Sequence, residues 1–346
     1  MTDRATSEQR FADAVQAATE VERWATGAHA LALLTAVHQW GWTRYLSTPR
    51  EIERLAEFTG LPRTRLEDVL EALKEHGVVE RNGSSVCLSP LFAALAAEDA
   101  WLALPDVLDH AETNRRLIHG AVQATAAALL AGDALVAARA AGGRATTVTS
   151  GLYEQLLADL PEWTASLREA RLLDVGCGVA TSAITVSSAF PGLRTTAIEV
   201  VPEVAAEARR RVNQHGLTDR IDVRCVDARD LAEDTEFDSA FWAQQFFPER
   251  TRAATLAMIR RALRPGGLLI VPEEDAGSQD MDQRSRSLRK LLRGQRHAPL
   301  DRSATQLAAE AQAAGFALVR VAPTSFGSFV LLRRPADPSK VNSVRR

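Results

Sequence analysis

Apolar residues follow a helical rhythm through the front half of the chain. The pattern runs from Phe11 to about Ser47, densest in the alanine- and leucine-rich run Ala28 to Val37, and leads into Trp40-Gly41-Trp42. It predicts a helical segment closed by Ser47-Thr48-Pro49, with Pro49 suited to the first turn of the next element. Ile52, Leu55 and Ala56 then mark a short helix, Thr59-Gly60-Leu61-Pro62 a turn, and Leu66, Val69, Leu70 and Leu73 a second helix stopped by Gly77. Val78 to Leu88 alternates around Asn82-Gly83, the pattern of a hairpin. Helix, turn, helix and hairpin together predict a winged helix. Residues 91–140 return to helical spacing, as Leu91–Ala97, Leu102–Gly120 and Ala121–Ala141. Helices so rich in small residues pack closely, either as the core of a dimer interface or as one wall of a pocket. The polar members of such a wall are His110, Asn114 and His119, of which His110 and Asn114 sit four apart on one face.

Ala141-Gly142-Gly143-Arg144 is the clearest linker, and it puts a domain boundary near residue 145. Beyond it the pattern changes. An amphipathic lead-in helix with Tyr153, Leu156, Leu157 and Leu160 breaks at Pro161. Short apolar runs then alternate with helical segments. They predict strands at Arg171–Asp174, Thr195–Val200, Asp222–Cys225, Ser239–Ala243, Leu268–Pro272, Ala317–Ala322 and Phe329–Leu332, with helices at Pro202–His215 and Arg250–Leu263. Seven strands with a close final pair imply a mostly parallel sheet with an antiparallel end. The organisation expected is a front domain over 1–145, an α/β domain over 146–335 and a disordered tail over 336–346.

Composition changes this picture little, but charge and cysteine usage exclude several functions. The 346 residues are 46% hydrophobic and 25% charged, with a formal net charge of -3, ordinary values for a soluble globular protein. Over residues 50–83, six bases (Arg50, Arg54, Arg63, Arg65, Lys74, Arg81) face eight acids, and the second helix alone carries Glu67, Asp68, Glu71 and Glu75. Those acids would confront phosphates, so nucleic acid is not an expected partner. No run of about 18 apolar residues predicts a membrane span, and Met1 to Glu22 lacks the apolar core of a signal peptide. Cys87, Cys177 and Cys225 are widely spaced, which supports neither a disulfide framework nor a metal site and suits a reduced, cytoplasmic chain.

The candidate chemistry begins at Leu172-Leu173-Asp174-Val175-Gly176-Cys177-Gly178-Val179-Ala180-Thr181, where an apolar run ends in an acid and breaks into a glycine turn. Ala183, Ile184, Val186 and Phe190 continue it as a helix. Strand, turn and helix form the opening of a nucleotide-binding unit. A dinucleotide turn would carry a third glycine at position 181, where Thr stands. A carboxylate before the turn suits a cationic or amine-bearing ligand better than a pyrophosphate. Glu199, at the end of the next strand, is placed to hold ribose hydroxyls. Asp227, with Ala228 beside it, can accept from an adenine amino group.

These residues, in this order and spacing, resemble the class I S-adenosylmethionine-dependent methyltransferases. The likeness runs from about 150 to 335 through Leu172–Ala180, Ala197-Ile198-Glu199, Val226-Asp227-Ala228 and Leu263-Arg264-Pro265-Gly266-Gly267. With the winged-helix front half, the chain looks like the dimeric small-molecule O-methyltransferases of plant and actinobacterial secondary metabolism. The resemblance implies an α/β fold, a seven-stranded Rossmann-like methyltransferase domain preceded by a mostly helical winged-helix dimerisation domain. It implies S-adenosylmethionine as cofactor, with Asp174, Gly176 and Gly178 lining its methionine and ribose part, Glu199 on the ribose, and Asp227 and Ala228 on the adenine. It also implies a homodimer.

The sequence departs from that family after the fourth strand, where members usually carry a histidine as general base. Here the segment reads Phe241-Trp242-Ala243-Gln244-Gln245-Phe246-Phe247-Pro248-Glu249, and no histidine occurs between His215 and His297. Glutamine cannot take a proton at neutral pH, although its amide can orient an acceptor. Gln244 and Gln245 are therefore candidates for acceptor orientation or for capping the next helix. Trp242, Phe246 and Phe247 are candidates for an apolar pocket wall or for core. Glu273, Glu274 and Asp275 after the fifth strand, or Glu249, could serve as a base. The basic stretch between Asp280 and His297, with Arg284, Arg286, Arg289, Lys290, Arg293 and Arg296, reads as a solvated helix near a pocket mouth or as an attractor of acidic substrate.

The reading is methyl transfer to a small natural-product intermediate, aromatic or carboxylated, by C-methylation or by O-methylation that needs no histidine base. Its rivals are a protein of the same fold that binds S-adenosylmethionine without methylating, and a winged-helix transcriptional regulator, which the acidic second helix opposes.

Overall fold

The computed structural model describes residues 2–123, 130, 132–273, 282–295 and 302–336. Its elements run α1 (Thr2–Gln39), α2 (Trp42–Tyr45), β1 (Arg50–Glu51), α3 (Ile52–Thr59), α4 (Arg63–Glu75), β2 (Val79–Asn82), β3 (Ser85–Leu88), α5 (Pro90–Ala96) and α6 (Leu104–Gly120). They continue with α7 (Asp133–Gly142), α8 (Thr147–Asp159), α9 (Pro161–Ala165), β4 (Arg171–Val175), α10 (Thr181–Ala189), β5 (Arg194–Glu199), α11 (Pro202–Gln214), β6 (Ile221–Cys225) and β7 (Phe237–Trp242). The last are α12 (Glu249–Ala262), β8 (Leu263–Pro272), α13 (Gln283–Gln295), α14 (Ala304–Ala313), β9 (Ala317–Thr324) and β10 (Gly327–Arg333). The chain divides into two compact units, Met1–Leu108 and Asp109–Arg346.

In the first unit, α3, α4 and the β2–β3 hairpin form the predicted winged helix, with β1 pairing antiparallel to β3 in a three-stranded sheet. Its core is the apolar set the periodicity picks out: Ile52, Leu55, Leu66, Leu70, Leu73, Val79 and Val86, joined by Leu34, Val37, Trp42 and Leu46. The acids of α4 are partly neutralised within the fold, since Glu67 pairs with Arg63 (2.8 Å) and Arg81 (2.7 Å). The long front helix is interrupted where Gly41 takes a left-handed backbone (φ 81°), a conformation glycine adopts without steric cost. Of the helical run expected over Ala121–Ala141, the described part is α7 from Asp133, preceded by Gly132 at φ 92°. Residues 124–129 and 131 lie outside the described set.

The second unit is built on a seven-stranded sheet in the order β6-β5-β4-β7-β8-β10-β9. The strands β6, β5, β4, β7 and β8 are parallel, and β10 runs antiparallel to both β8 and β9. All seven predicted strands are present. β4 is central and buried on both faces, which is why it reads as a continuous apolar run rather than an alternating one. One face packs on α12 and α14 through Leu173, Val175, Leu256, Ile259 and Leu307. The other packs on α8 and α9 through Leu172, Leu156, Leu160 and Trp163. Among the described residues no helix is long and apolar enough to cross a membrane.

Candidate functional site

Parallel strands bring the residues that follow their C-terminal ends to one edge of the sheet. In sheet order these are Asp227 after β6, Glu199 ending β5, Asp174 and the glycine turn at β4, Gln244 and Gln245 after β7, and Glu273 after β8. With strands about 4.8 Å apart, the span from β6 to β7 is about 14 Å, the reach of an extended nucleoside conjugate.

The turn after β4 is fixed by the backbone. The N–H groups of Gly176 and Cys177 both donate to the carbonyl of Ile198 on β5, at 3.0 Å each. Gly176, Gly178 and Ala180 all have positive φ, at 76°, 55° and 62°. At Gly176 a Cβ would come within 2.7 Å of the Phe247 ring, so the protein itself demands glycine there. At Gly178 an added Cβ would meet nothing within 4 Å, so the turn presents bare backbone to open space.

Two carboxyl groups stand at this turn. Glu199 accepts from the Gly178 N–H (Oε2, 3.2 Å) and the Val201 N–H (Oε1, 3.0 Å), leaving each oxygen further capacity. Asp174 is 2% exposed, and its Oδ2 has no hydrogen-bond partner. Burial, and then the charge of Glu199, push the Asp174 carboxyl up to about 7. Burial likewise raises Glu199, against the hydrogen bonds it accepts from backbone. The Cys177 thiol is held well above its usual range, first by burial and then by both carboxylates, and so is no nucleophile. Tyr153 of α8 joins the group. Its phenol is pushed up to about 12 by burial, with the Ser182 hydroxyl acting against the shift and the Asp174 charge adding to it.

Asp227 caps the short turn Ala228–Asp230 by accepting from the Arg229 N–H (2.9 Å), and it also pairs with the Arg229 guanidinium (2.7 and 2.9 Å), which holds its carboxyl low. Ala228 is buried in the core below it.

The two glutamines have different surroundings. Gln244 is 2% exposed and committed on both sides of its amide. Nε2 donates to the Pro272 carbonyl (3.3 Å), while Oε1 and its own carbonyl accept from Arg252 Nη1 (3.0 and 2.8 Å). The Oε1 of Gln245 is buried with no partner. Arg252, itself 1% exposed, forks onto Glu310 through two 2.7 Å bonds and lies 4.7 Å over the Trp242 ring. Trp242 is core, edge-on to Phe247 at 5.7 Å, whereas Phe246 is exposed. Phe247, rather than Phe246, therefore stands against the glycine turn.

Glu273 accepts from the N–H of Ala304 (3.0 Å), the first residue of α14, beside the Ser303–Gln306 capping box that starts this helix. Glu249 is exposed and ion-paired with Arg302. Glu274, Asp275, Asp280, Arg296 and His297 lie outside the described residues. His110 and Asn114 are half-buried on α6, each engaged in polar interactions of its own. The basic stretch is helical in α13, with Leu288 and Leu291 exposed on it.

Phe247 was among the candidates for a pocket wall, but Tyr153 and Arg252 were not legible in the sequence as parts of this site. Tyr153 looks like one more apolar member of an amphipathic helix, and only its hydroxyl, one of two phenols in the chain, distinguishes it. Arg252 meets Glu310 across 58 residues, and no periodicity connects them.

Comparison with known proteins bears on this edge of the sheet. Residues 172–267 match the family model described as a methyltransferase domain. A probable fatty acid methyltransferase from Pseudomonas putida is 34% identical over 103 residues, covering 29% of this chain and 25% of that protein. The chain spans between a quarter and a half of the length of the curated relatives it matches. Over nearly the whole chain the fold is that of solved methyltransferases. The mitomycin 7-O-methyltransferase superposes with a TM-score of 0.65 at 22% identity, covering 93% of this chain and 99% of that one. Human N-acetylserotonin methyltransferase, solved in complex with S-adenosylmethionine, superposes with a TM-score of 0.68 at 17% identity, covering 93% and 98%.

Proposed function

From a chain whose residues 172–267 carry a methyltransferase domain, we propose methyl transfer from S-adenosylmethionine to a small molecule. The observation that carries the reading is the Asp174 carboxylate oxygen, buried and unpartnered beside Glu199. Two carboxyl groups brought together with no ion-pair partner for either among the described residues suit a ligand that brings a cation. The residues fit the cofactor in three further respects. Gly178 leaves its backbone open to close approach, Glu199 keeps lone pairs for a diol, and Asp227 keeps one for an amino group once Arg229 is accounted for. When bound, the cofactor supplies an electrophilic methyl group on a cationic sulfur.

The chain's own residues then hold and orient. Asp174 and Glu199 fix the charged and ribose ends, and Phe247 closes the turn at Gly176. Gln245, with its unpartnered buried oxygen, faces the acceptor and takes a hydrogen bond from it, while Gln244 acts through the loop it anchors. His110, Asn114, Phe246 and Glu273 complete the acceptor side in this reading, while Trp242 belongs to the core behind Phe247. With no histidine in the segment after β7, the acceptor is a group needing little or no base, a carboxylate oxygen or an electron-rich ring carbon, and orientation carries much of the barrier. The enzyme acts as a homodimer, a reading supported by the exposed Phe11, Val15, Val21 and Trp24 along α1. Three free cysteines support a cytoplasmic setting.

Incubation with methyl-labelled S-adenosylmethionine and a panel of aromatic and carboxylated acceptors tests this. The expected result is S-adenosylhomocysteine together with a methylated product. Cofactor binding without turnover across the panel would favour a protein of this fold that uses the cofactor otherwise, and absence of cofactor binding would sink the reading.

A further inference from the structure

Position 181, where a dinucleotide-binding turn has its third glycine, holds a buried threonine at the start of α10. Its Oγ1 donates to the carbonyl of Gly143 (3.0 Å), 38 residues upstream in the connection between α7 and α8. The same carbonyl accepts from Arg211 Nη1 (2.6 Å), and Arg211 is anchored by Glu207 (2.9 Å). Both lone pairs of one peptide carbonyl are thus used by side chains from two helices of the α/β domain. Gly143 sits at φ 62°, ψ −148°, a region essentially closed to residues with a side chain. Its neighbour Gly142 lies so close to Val179 that a Cβ would come within 2.9 Å of Cγ2. Ala145 and Cys177 pack against one cluster formed by α10, α11 and β5. Beyond it, Thr146 and Thr149 close the capping box that starts α8, the helix of Tyr153. The connection is therefore docked on the outer side of the glycine turn, over Cys177 to Thr181.

We propose that Thr181 is a positioning residue for the cofactor site. With Arg211 it clamps the Gly143 carbonyl and keeps the α7–α8 connection seated against the glycine turn, so that cofactor affinity depends on that seating. The proposal rests on the cofactor reading above. The physical reason lies in the turn itself. Three residues of positive φ within five positions, one of them Ala180, hold their shape only where surrounding structure over-determines it. The seated connection supplies that support through Gly142 on Val179 and through the clamp. A glycine at 181 would leave the carbonyl to Arg211 alone.

Thr181→Val removes the hydroxyl at nearly constant volume, and Thr181→Ser restores it. S-adenosylhomocysteine is titrated into the full chain and both variants, and amide hydrogen exchange is followed over 140–150 and 174–181 with and without it. The valine variant should bind roughly three- to tenfold more weakly, the value of one hydrogen bond, chiefly through faster dissociation. In that variant residues 142–147 should exchange faster and lose their protection by ligand, and the serine variant should recover both. Equal affinity in a folded valine variant, with unchanged exchange over 142–147, overturns the clamp and leaves the cofactor reading standing. Failure of the unaltered chain to bind S-adenosylhomocysteine removes both.

Discussion

A carboxylate oxygen kept out of water without a partner is a liability unless something else supplies the charge, and Oδ2 of Asp174 makes that testable. Its ordinary value is 3.8 and its folded value about 7. Well below the lower value both folded and unfolded chains hold the proton, and the contribution to stability is complete. As pH rises the unfolded chain ionises first, so the ligand-free protein loses that stability through about 7. The melting temperature of ligand-free protein should fall more steeply between pH 5 and 7.5 than that of Asp174→Asn, measured by thermal unfolding in parallel. Glu199 shifts the same way and is unchanged in the variant. His215, lowered by burial and by Arg211, works in the opposite direction in both. For binding the slope reverses. An ammonium-bearing ligand favours ionised Asp174, so affinity for S-adenosylhomocysteine should rise from pH 6 to 8, and Asp174→Asn should lose the slope together with about ten- to a hundredfold in affinity. The two glycines also separate. Gly176→Ala drives a methyl into Phe247 and should lower stability and binding together. Gly178→Ala meets no protein atom, so it should cost about 1–2 kcal/mol for the left-handed backbone and lose much more in cofactor binding. Calorimetric titration beside thermal unfolding distinguishes the pair.

At the level of elements, periodicity is a good guide where burial is simple. The seven strands, the winged helix and the helices on both faces of the sheet were legible because each exposes or hides its faces with a regular period. Breaks were less legible. Gly41 and Gly132 interrupt helical text through positive φ, and a lone glycine in an alanine-rich stretch does not reveal its backbone angle. Least legible were ties between distant segments. Gln244 was a candidate because a histidine was missing, but its role in the fold is set by Arg252, which joins the loop after β7 to α14 through Glu310. Arg252→Met should therefore destabilise the protein by about 2–3 kcal/mol, since it takes the donor from the buried Gln244 carbonyls and removes the closer partner of the part-buried Glu310, with Arg302 remaining at 3.6 Å. Arg252→Lys keeps charge but not the fork and should fall between; equal unfolding midpoints for all three proteins would show that the network carries no stability.

For the whole molecule, the front unit spends its apolar surface in two ways. One set of residues closes the winged-helix core, while Phe11, Val15, Val21 and Trp24 stay on the outside of α1. Large apolar residues left together on one long helix predict that it meets a second copy. Trp24→Glu with Val21→Glu should convert a dimer to a monomer by light scattering, with helix content kept; a wild-type monomer would remove the homodimer from the reading. The acidic character of the winged helix was legible from composition alone, because it needs only a count of charges. What α1 meets was not, because exposed apolar residues do not name what covers them.

The arrangement of candidate site positions along one sheet edge has an evolutionary consequence. Asp174, Glu199 and Asp227 come from one continuous stretch of about fifty residues, while Gln245, Phe247 and Glu273 follow it in the next. Because strand order keeps the two groups side by side without interleaving them, the later stretch can be rewritten while the earlier one is left intact. A lineage could thus change what it modifies by exchanging one contiguous segment, and recombination at the start of β7 would be the natural place to look for, or to engineer, such a swap.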